Sequence, residues 1–281
     1  MIPNELKKVF DYVGKSPWPD NVPDDVVFEC GKRAAADMMQ SGDYYSDKLI
    51  YRLAGQSGSG KTTQLLPTIM KFEQLRARNP ITIAVRNFPI YHPDYDKIVA
   101  QFPAGEVREK TNGFALKCLA VAVREILSRG LLTVLDVTIL DPIFEEFING
   151  QIVENGYTAQ YHILAVSRAQ SDIFIEKRRR AAGGAESGKI VYAKTGDYFY
   201  DILPRGIEYL ASVDRVSNAL VWSAYDTTPL YTGHFRGVNE ALTNGRRITR
   251  IPVLSEDEMR QAKLAFMHLY FYKIPVPDPL A

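Results

Sequence analysis

Cysteine is scarce in this chain. Only Cys30 and Cys118 occur in 281 residues, far apart and in no Cys-x-x-Cys or Cys/His cluster. A disulfide framework and a zinc site of the usual spacing are thereby excluded. A surplus of one charge is also missing: 34 Lys and Arg stand against 33 Asp and Glu, a formal net charge of +1. The chain is not built to coat nucleic acid or an anionic membrane, so a basic site has to be local. No window reaches the roughly 18 apolar residues of a membrane span, and the first residues lack the apolar core of a cleaved secretory signal. These absences lead us to expect a cytoplasmic protein, one that reaches a host cell, if it does, without such a signal. Internal repeats and low-complexity tracts are absent too. With 46% hydrophobic and 24% charged residues, what remains is ordinary globular composition.

Along the chain, short β-branched or aromatic runs alternate with helical material. The strand candidates are "DKLIYRLAG" near 50, "ITIAV" at 81–85, "LLTVLDV" at 131–137, "YHILAVS" at 161–167 and "ALVWSAY" at 219–225. Helices are expected over about 25–40, from Lys61 to about Ala77, and over a long stretch that Thr111 or Asn112 can cap and Gly130 ends. Such alternation predicts an α/β fold: a parallel five-stranded sheet with helices on both faces and ligands at the carboxyl ends of its strands. We expect one domain over 1–281. It comprises a helical N-terminal extension over 1–45, a core over 46–225 with a lid insertion at about 171–200, and a C-terminal extension over 226–281.

The stretch "AGQSGSGKTT" fills a phosphate-binding pattern without a gap. Gly55, Gly58 and Gly60 permit the turns that let backbone N–H groups of Gln56, Ser57, Ser59, Lys61, Thr62 and Thr63 wrap a phosphate. Lys61 then reaches the β- and γ-phosphates of ATP, and Thr62 offers its hydroxyl to Mg2+. A GTPase would need an Asn-Lys-x-Asp base-reading motif and an ABC-type ATPase its signature loop; neither occurs. One nucleotide core with a cationic lid is instead the plan of small-molecule kinases. The arginines at 178, 179 and 180, with Lys189 and Lys194 beyond, are the lid candidates for neutralising the transferred phosphoryl group.

The order of these motifs resembles the zeta-toxin family of phosphate-loop kinases: "GQSGSGKTT", "HPDY" at 92–95, a Thr-led helix, "LDVTILDP", then a lid arginine before "GKIVYAKTGDYFYDILPRGIEYL". The resemblance covers roughly 49–225. It implies an ATP- and Mg2+-dependent transfer to a hydroxyl of a nucleotide-linked sugar, either UDP-N-acetylglucosamine or, as in a plant-pathogen effector relative, the adenosine ribose of NAD. It also implies a toxin or effector restrained by a small antitoxin or chaperone. By the same resemblance, Asp136 and Thr138 hold the acceptor, one of Arg178, Arg179 and Arg180 matches the first lid arginine, and Lys189 falls near the second.

One position departs from that pattern. The family has an aspartate a few residues before its His-Pro, where it takes the proton of the acceptor hydroxyl; here "AVRNFPIYHPDY" offers Arg86 or Asn87, neither of which is a base near neutral pH. The favoured expectation is that Asn87 occupies the catalytic base position as an Asp-to-Asn change that silences the enzyme. Alternatively Asp94, Asp96 or Asp136 supplies the base, or the chain is a nucleotide-binding module without catalysis. A polynucleotide 5′-hydroxyl kinase shares the core but conflicts with the near-zero charge. The leading expectation is a small-nucleotide kinase, NAD ahead of UDP-N-acetylglucosamine, with His92 a structural loop cap.

Overall fold

A computed structural model describes residues 2–17, 20–40, 42–56, 58–181, 193–213, 218–224, 226–248 and 255–272. At its centre lies strand β1 (Leu49–Ala54), every residue of which is buried. Its nearly unbroken apolar run is what a parallel strand covered on both faces requires. Beside it run β2 (Ile81–Ala84), β3 (Thr133–Asp136), β4 (Thr158–Ala165) and β5 (Asn218–Ser223), all parallel, while β6 (Tyr231–Gly233) closes the edge antiparallel to β5. The order is β2-β3-β1-β4-β5-β6. The expected five-stranded parallel sheet is therefore a six-stranded mixed one. A strand of three residues has no alternation to detect, and it forms only because Val221 and its neighbours offer β6 an open edge.

Side chains of β1 alternate between two cores, as the pleat demands. Tyr51 and Leu53 point toward α3 (Leu66–Gln74) and α10 (Glu256–Tyr272), packing with Ile69, Phe72, Leu264 and Met267. Ile50 points the other way, toward α5 (Ala104–Leu127) and α6 (Pro142–Glu154). Further along that face, α8 (Ala193–Ser212) and α9 (Val238–Arg246) cover β4 and β5 through Leu203, Ile207, Val238 and Leu242. A third layer lies outside α5: α1 (Asn4–Gly14) and α2 (Asp24–Gln40) join the same core through Leu6, Phe10, Val27 and Ala34. Gly31 of α2 approaches so closely that an added Cβ would stand 2.6 Å from that of Val121. Lys117 of α5 ties the layer down with ion pairs to Asp20 at 3.1 Å and Asp24 at 3.0 Å. The N-terminal helices are thus part of the main core.

Two helix boundaries differ from expectation. The long helix α5 starts at Ala104, because Pro103 with its extended backbone stands as the N-cap, and Thr111 satisfies its hydroxyl inside the helix on the carbonyl of Val107 at 2.8 Å. After the phosphate loop, residues Lys61–Leu65 form a π turn before α3 begins. Helix α7 (Arg168–Ala181) begins ahead of the segment expected to form a lid. Among the described residues no helix is long and apolar enough to cross a membrane.

Behind β1, His162 of β4 is fully buried, stacks on Trp222 with 8° between the rings, and accepts the indole N–H at 3.3 Å on Nδ1. Burial lowers its pKa to about 3, so the folded protein keeps the ring neutral. The charged groups closest in this network are Lys263, beneath the Trp222 ring and lowered by burial to about 7, and Glu73, bonded to Tyr51. A depressed histidine gives stability that is complete above its unfolded pKa of about 6.5 and is lost as pH falls through the folded value. Unfolding free energy should accordingly decline from pH 6.5 toward 3, by no more than about 1.4 kcal/mol per pH unit from this group. Urea titrations across that range should show a flatter slope in His162→Gln.

Candidate active site

The phosphate loop leaves the carboxyl end of β1 where the chain order reverses, with β3 on one side of β1 and β4 on the other. That is the switch point at which α/β sheets bind ligands. Gly55, Gly58 and Gly60 have φ of 137°, 75° and 99°, in the left-handed region. A Cβ at Gly58 would stand 2.5 Å from the carbonyl oxygen of Ser171, so only glycine closes this loop against α7. Ser57 lies outside the described residues. Lys61 folds back along the loop and donates from Nζ to the carbonyls of Gly55 and, at 3.1 Å, Gln56. Gln56 donates its side-chain amide to Val166 at the end of β4, fixing the loop to the sheet.

Opposite the loop, β3 ends in Asp136, followed by Val137 and Thr138. Asp136 has a side chain only 2% exposed, and its Oδ2 accepts from Arg86 Nη1 at 2.5 Å and from Thr62 Oγ1 at 3.4 Å. Thr138 Oγ1 accepts the backbone N–H of Gly55 at 3.4 Å. Lys61, Thr62, Asp136 and Thr138 are thus brought together, as two strand ends meet. Thr63 is exposed at the rim, its hydroxyl 3.5 Å from the carbonyl of Gly60.

What holds this arrangement is a buried ion pair one turn of the pleat below. Arg52 of β1 and Glu145 of α6, both fully buried, meet at 3.0 Å. Glu145 also accepts the backbone N–H of Leu140 at 2.9 Å, which anchors the loop carrying Thr138. Burial works against the charge on Arg52, but Glu145 beside it keeps its pKa above the ordinary value.

A single cavity of about 640 Å3 joins the two halves. One half is the phosphate loop with Lys61, Thr62 and Thr63; the other is walled by Val85, Arg86, Ile90, Tyr95, Val99 and Phe102, and by α5. Asp136 is the one carboxylate among the described residues that line it. A broader open groove of about 840 Å3 runs between α1 and α2, remote from the loop and without a phosphate-binding element.

Several expected residues lie elsewhere. Asn87 is not among the cavity residues; its Oδ1 accepts the backbone N–H of Ala84 at 2.8 Å and closes the short turn after β2, which leaves Arg86 facing the cavity. Asp94 is exposed and paired with Lys97 at 2.6 Å, and Asp96 is exposed too; neither lines the cavity. His92 packs edge-on against Phe114 and accepts the backbone N–H of Asp94 at 3.0 Å, while burial lowers its pKa. The backbone of Arg178 and Arg179 belongs to α7 and that of Lys194 to α8, but their side chains, and the whole of Lys189, lie outside what the structure describes.

Sequence reading passed over the contribution of α5, whose residues Val107, Arg108, Thr111, Asn112, Ala115 and Leu116 line the half of the cavity away from the phosphate loop. Their spacing of three and four was the available signal, since it marks one helical face.

Comparison with known proteins bears on this geometry. The model of the Zeta toxin family matches residues 36–234. The chain belongs to the zeta toxin family. Zeta toxins are phosphotransferases, so this member is a toxin-type, nucleotide-binding kinase with a phosphate loop. Among solved structures, it is similar to one from the PezAT chromosomal toxin-antitoxin system of the human pathogen Streptococcus pneumoniae, at 17% identity and a TM-score of 0.63, covering 90% of this chain and 99% of that one. That likeness is one of fold. Looser superpositions, at 10% identity and a TM-score of 0.46, are found with the AvrRxo1-ORF1:-ORF2 complex, native (93% of this chain, 84% of that one) and with ATP (89% and 76%). Among curated proteins no match is found.

Removing one partner of a buried ion pair strands the other charge and costs about 3–5 kcal/mol. Glu145→Ala should lower the unfolding free energy of this zeta toxin by that amount in urea denaturation, because both Arg52 and the Leu140 N–H lose their acceptor.

Proposed function

We propose that the protein transfers the terminal phosphoryl group of ATP to a hydroxyl of a small nucleotide, NAD in preference to UDP-N-acetylglucosamine. The observation that carries this reading is the shared cavity: a phosphate loop on one side and, within the same walls, a buried carboxylate and two arginines on the other. Arg86 and Arg108 suit a pyrophosphate, which both acceptors contain. The preference for NAD rests on two departures from the UDP-sugar kinases, the segment after β2 and the shorter Asp136 at the acceptor position.

The residues present fit ATP and Mg2+. The three left-handed glycines form a cradle that a Cβ would fill, Ser59 Oγ is buried there without a partner, and a hydroxyl and a carboxylate stand together at Thr62 and Asp136. When bound, ATP and Mg2+ supply the transferable phosphoryl group and neutralise charge on its oxygens. Thr62 would hold the ion, and Lys61 would exchange its two loop carbonyls for phosphate oxygens. Thr138 would orient the acceptor hydroxyl, whose proton would pass to Asp136, the one carboxylate among the described cavity residues. Arg86 offsets the charge of Asp136 until the acceptor's phosphates compete for the guanidinium. The family resemblance supports Arg178, Arg179 and Lys189 as the cations that neutralise the transferred group. Family membership further supports a small antitoxin-type partner.

The test is a mass-spectrometric assay with ATP and Mg2+ against NAD and UDP-N-acetylglucosamine. We expect a gain of one phosphate on NAD; no gain on either acceptor would sink the reading. Asp136→Asn should cut turnover by about a hundred- to ten-thousand-fold while ATP still binds. Asn87→Asp should leave the rate near wild type, since that side chain serves the Ala84 N–H; a sharp rise would move the base to position 87.

A further inference from the structure

One side chain in the acceptor half has no structural occupation. Asn112 lies within α5, eight residues after the helix begins, so it caps nothing. It is only 7% exposed, it lines the cavity, and its Nδ2 is buried without a hydrogen-bond partner. Each of these is unfavourable. Asparagine is a poor helix former because its amide competes for backbone groups, and a buried amide without a partner loses its hydration for nothing. The neighbouring Thr111 shows the alternative, since its hydroxyl is satisfied on Val107 one turn back. Nothing in the packing of α5 accounts for an amide at 112.

The surroundings point to a ligand. Asn112 shares its helical face with Val107, Ala115 and Leu116, which give apolar walls, and with Arg108 one turn earlier; Arg86 lines the same cavity. A carboxamide presents one acceptor and two donors in a plane, the complement of an edge that carries a donor and an acceptor side by side. Amide groups and nucleobases have such edges. We propose that Asn112 is the specificity-determining residue of the acceptor half, pairing with a planar amide or base edge of the acceptor. The apolar face of α5 packs against the ring that carries this edge, and Arg86 and Arg108 hold its phosphates. Asn112 acts in recognition and not on the reacting atoms.

The activity arm of the test rests on the kinase reading; the stability arm does not. Asn112→Leu keeps the branched outline and the number of heavy atoms and removes the amide. Because no protein hydrogen bond is lost, the variant should melt at or above the wild-type temperature. It should bind ATP as wild type does, yet lose on the order of a hundredfold or more in kcat/KM for the acceptor, mainly through KM; Asn112→Gln should recover part of the loss. A melting temperature well below wild type would show a structural amide and overturn the inference, as would an unchanged acceptor KM. If the wild type phosphorylates neither NAD nor UDP-N-acetylglucosamine, the kinase reading fails, and calorimetric titration of the same two compounds decides. Weaker binding by Asn112→Leu supports the inference, while equal binding, or none by the wild type, overturns it.

Discussion

The site depends on a charge placed where charge is least welcome. Arg52 sits in the middle strand of the sheet, in a run otherwise apolar, with its guanidinium fully buried beside Glu145. Such a pair adds little net stability, since desolvation consumes most of the attraction, but it tolerates little error in position. Through it β1, which leads into the phosphate loop, is fixed against α6, which follows the loop that carries Thr138. A second acceptor bond, from the Leu140 N–H, makes the connection two-sided. The two strand ends that hold Lys61, Thr62 and Asp136 are therefore set from beneath by one carboxylate.

Above that support the cavity is electrostatically self-contained. Lys61 rests on carbonyls of its own loop, and Asp136 is neutralised by Arg86 and touched by Thr62. Every strong charge at the centre already has a partner in the protein. Ligands must therefore exchange one set of contacts for another, and affinity will reflect the difference between the two sets. A chain with a net charge of +1 can still present a locally cationic cavity, because Lys61, Arg86 and Arg108 line it against the single carboxylate of Asp136 among the described residues.

The sequence made some of this legible and hid the rest for physical reasons. The phosphate loop could be read because its chemistry is local: glycines at fixed offsets, then Lys61 and Thr62. The parallel strands could be read because buried β-branched runs leave a compositional trace. The sixth strand could not, since three residues at an edge carry no pattern. Position 87 is ambiguous in the sequence because register along a chain does not say which of two adjacent side chains faces a cavity; in the 3-10 turn after β2, Arg86 lines it and Asn87 bonds the Ala84 N–H. The start of α5 was misplaced because Thr111 and Asn112 look like caps, and only tertiary context shows Pro103 ending the preceding segment. Arg52 was passed over within an apolar run, its partner 93 residues away.

The long helix α5 belongs to two structures at once. Its inner face, from Val107 to Leu116, is a wall of the cavity, while its outer face meets α2 so closely that Gly31 has no room for a side chain against Val121. The N-terminal helices therefore brace the back of a cavity wall. Through α5, packing changes in the first forty residues reach the shape of the cavity as well as the core.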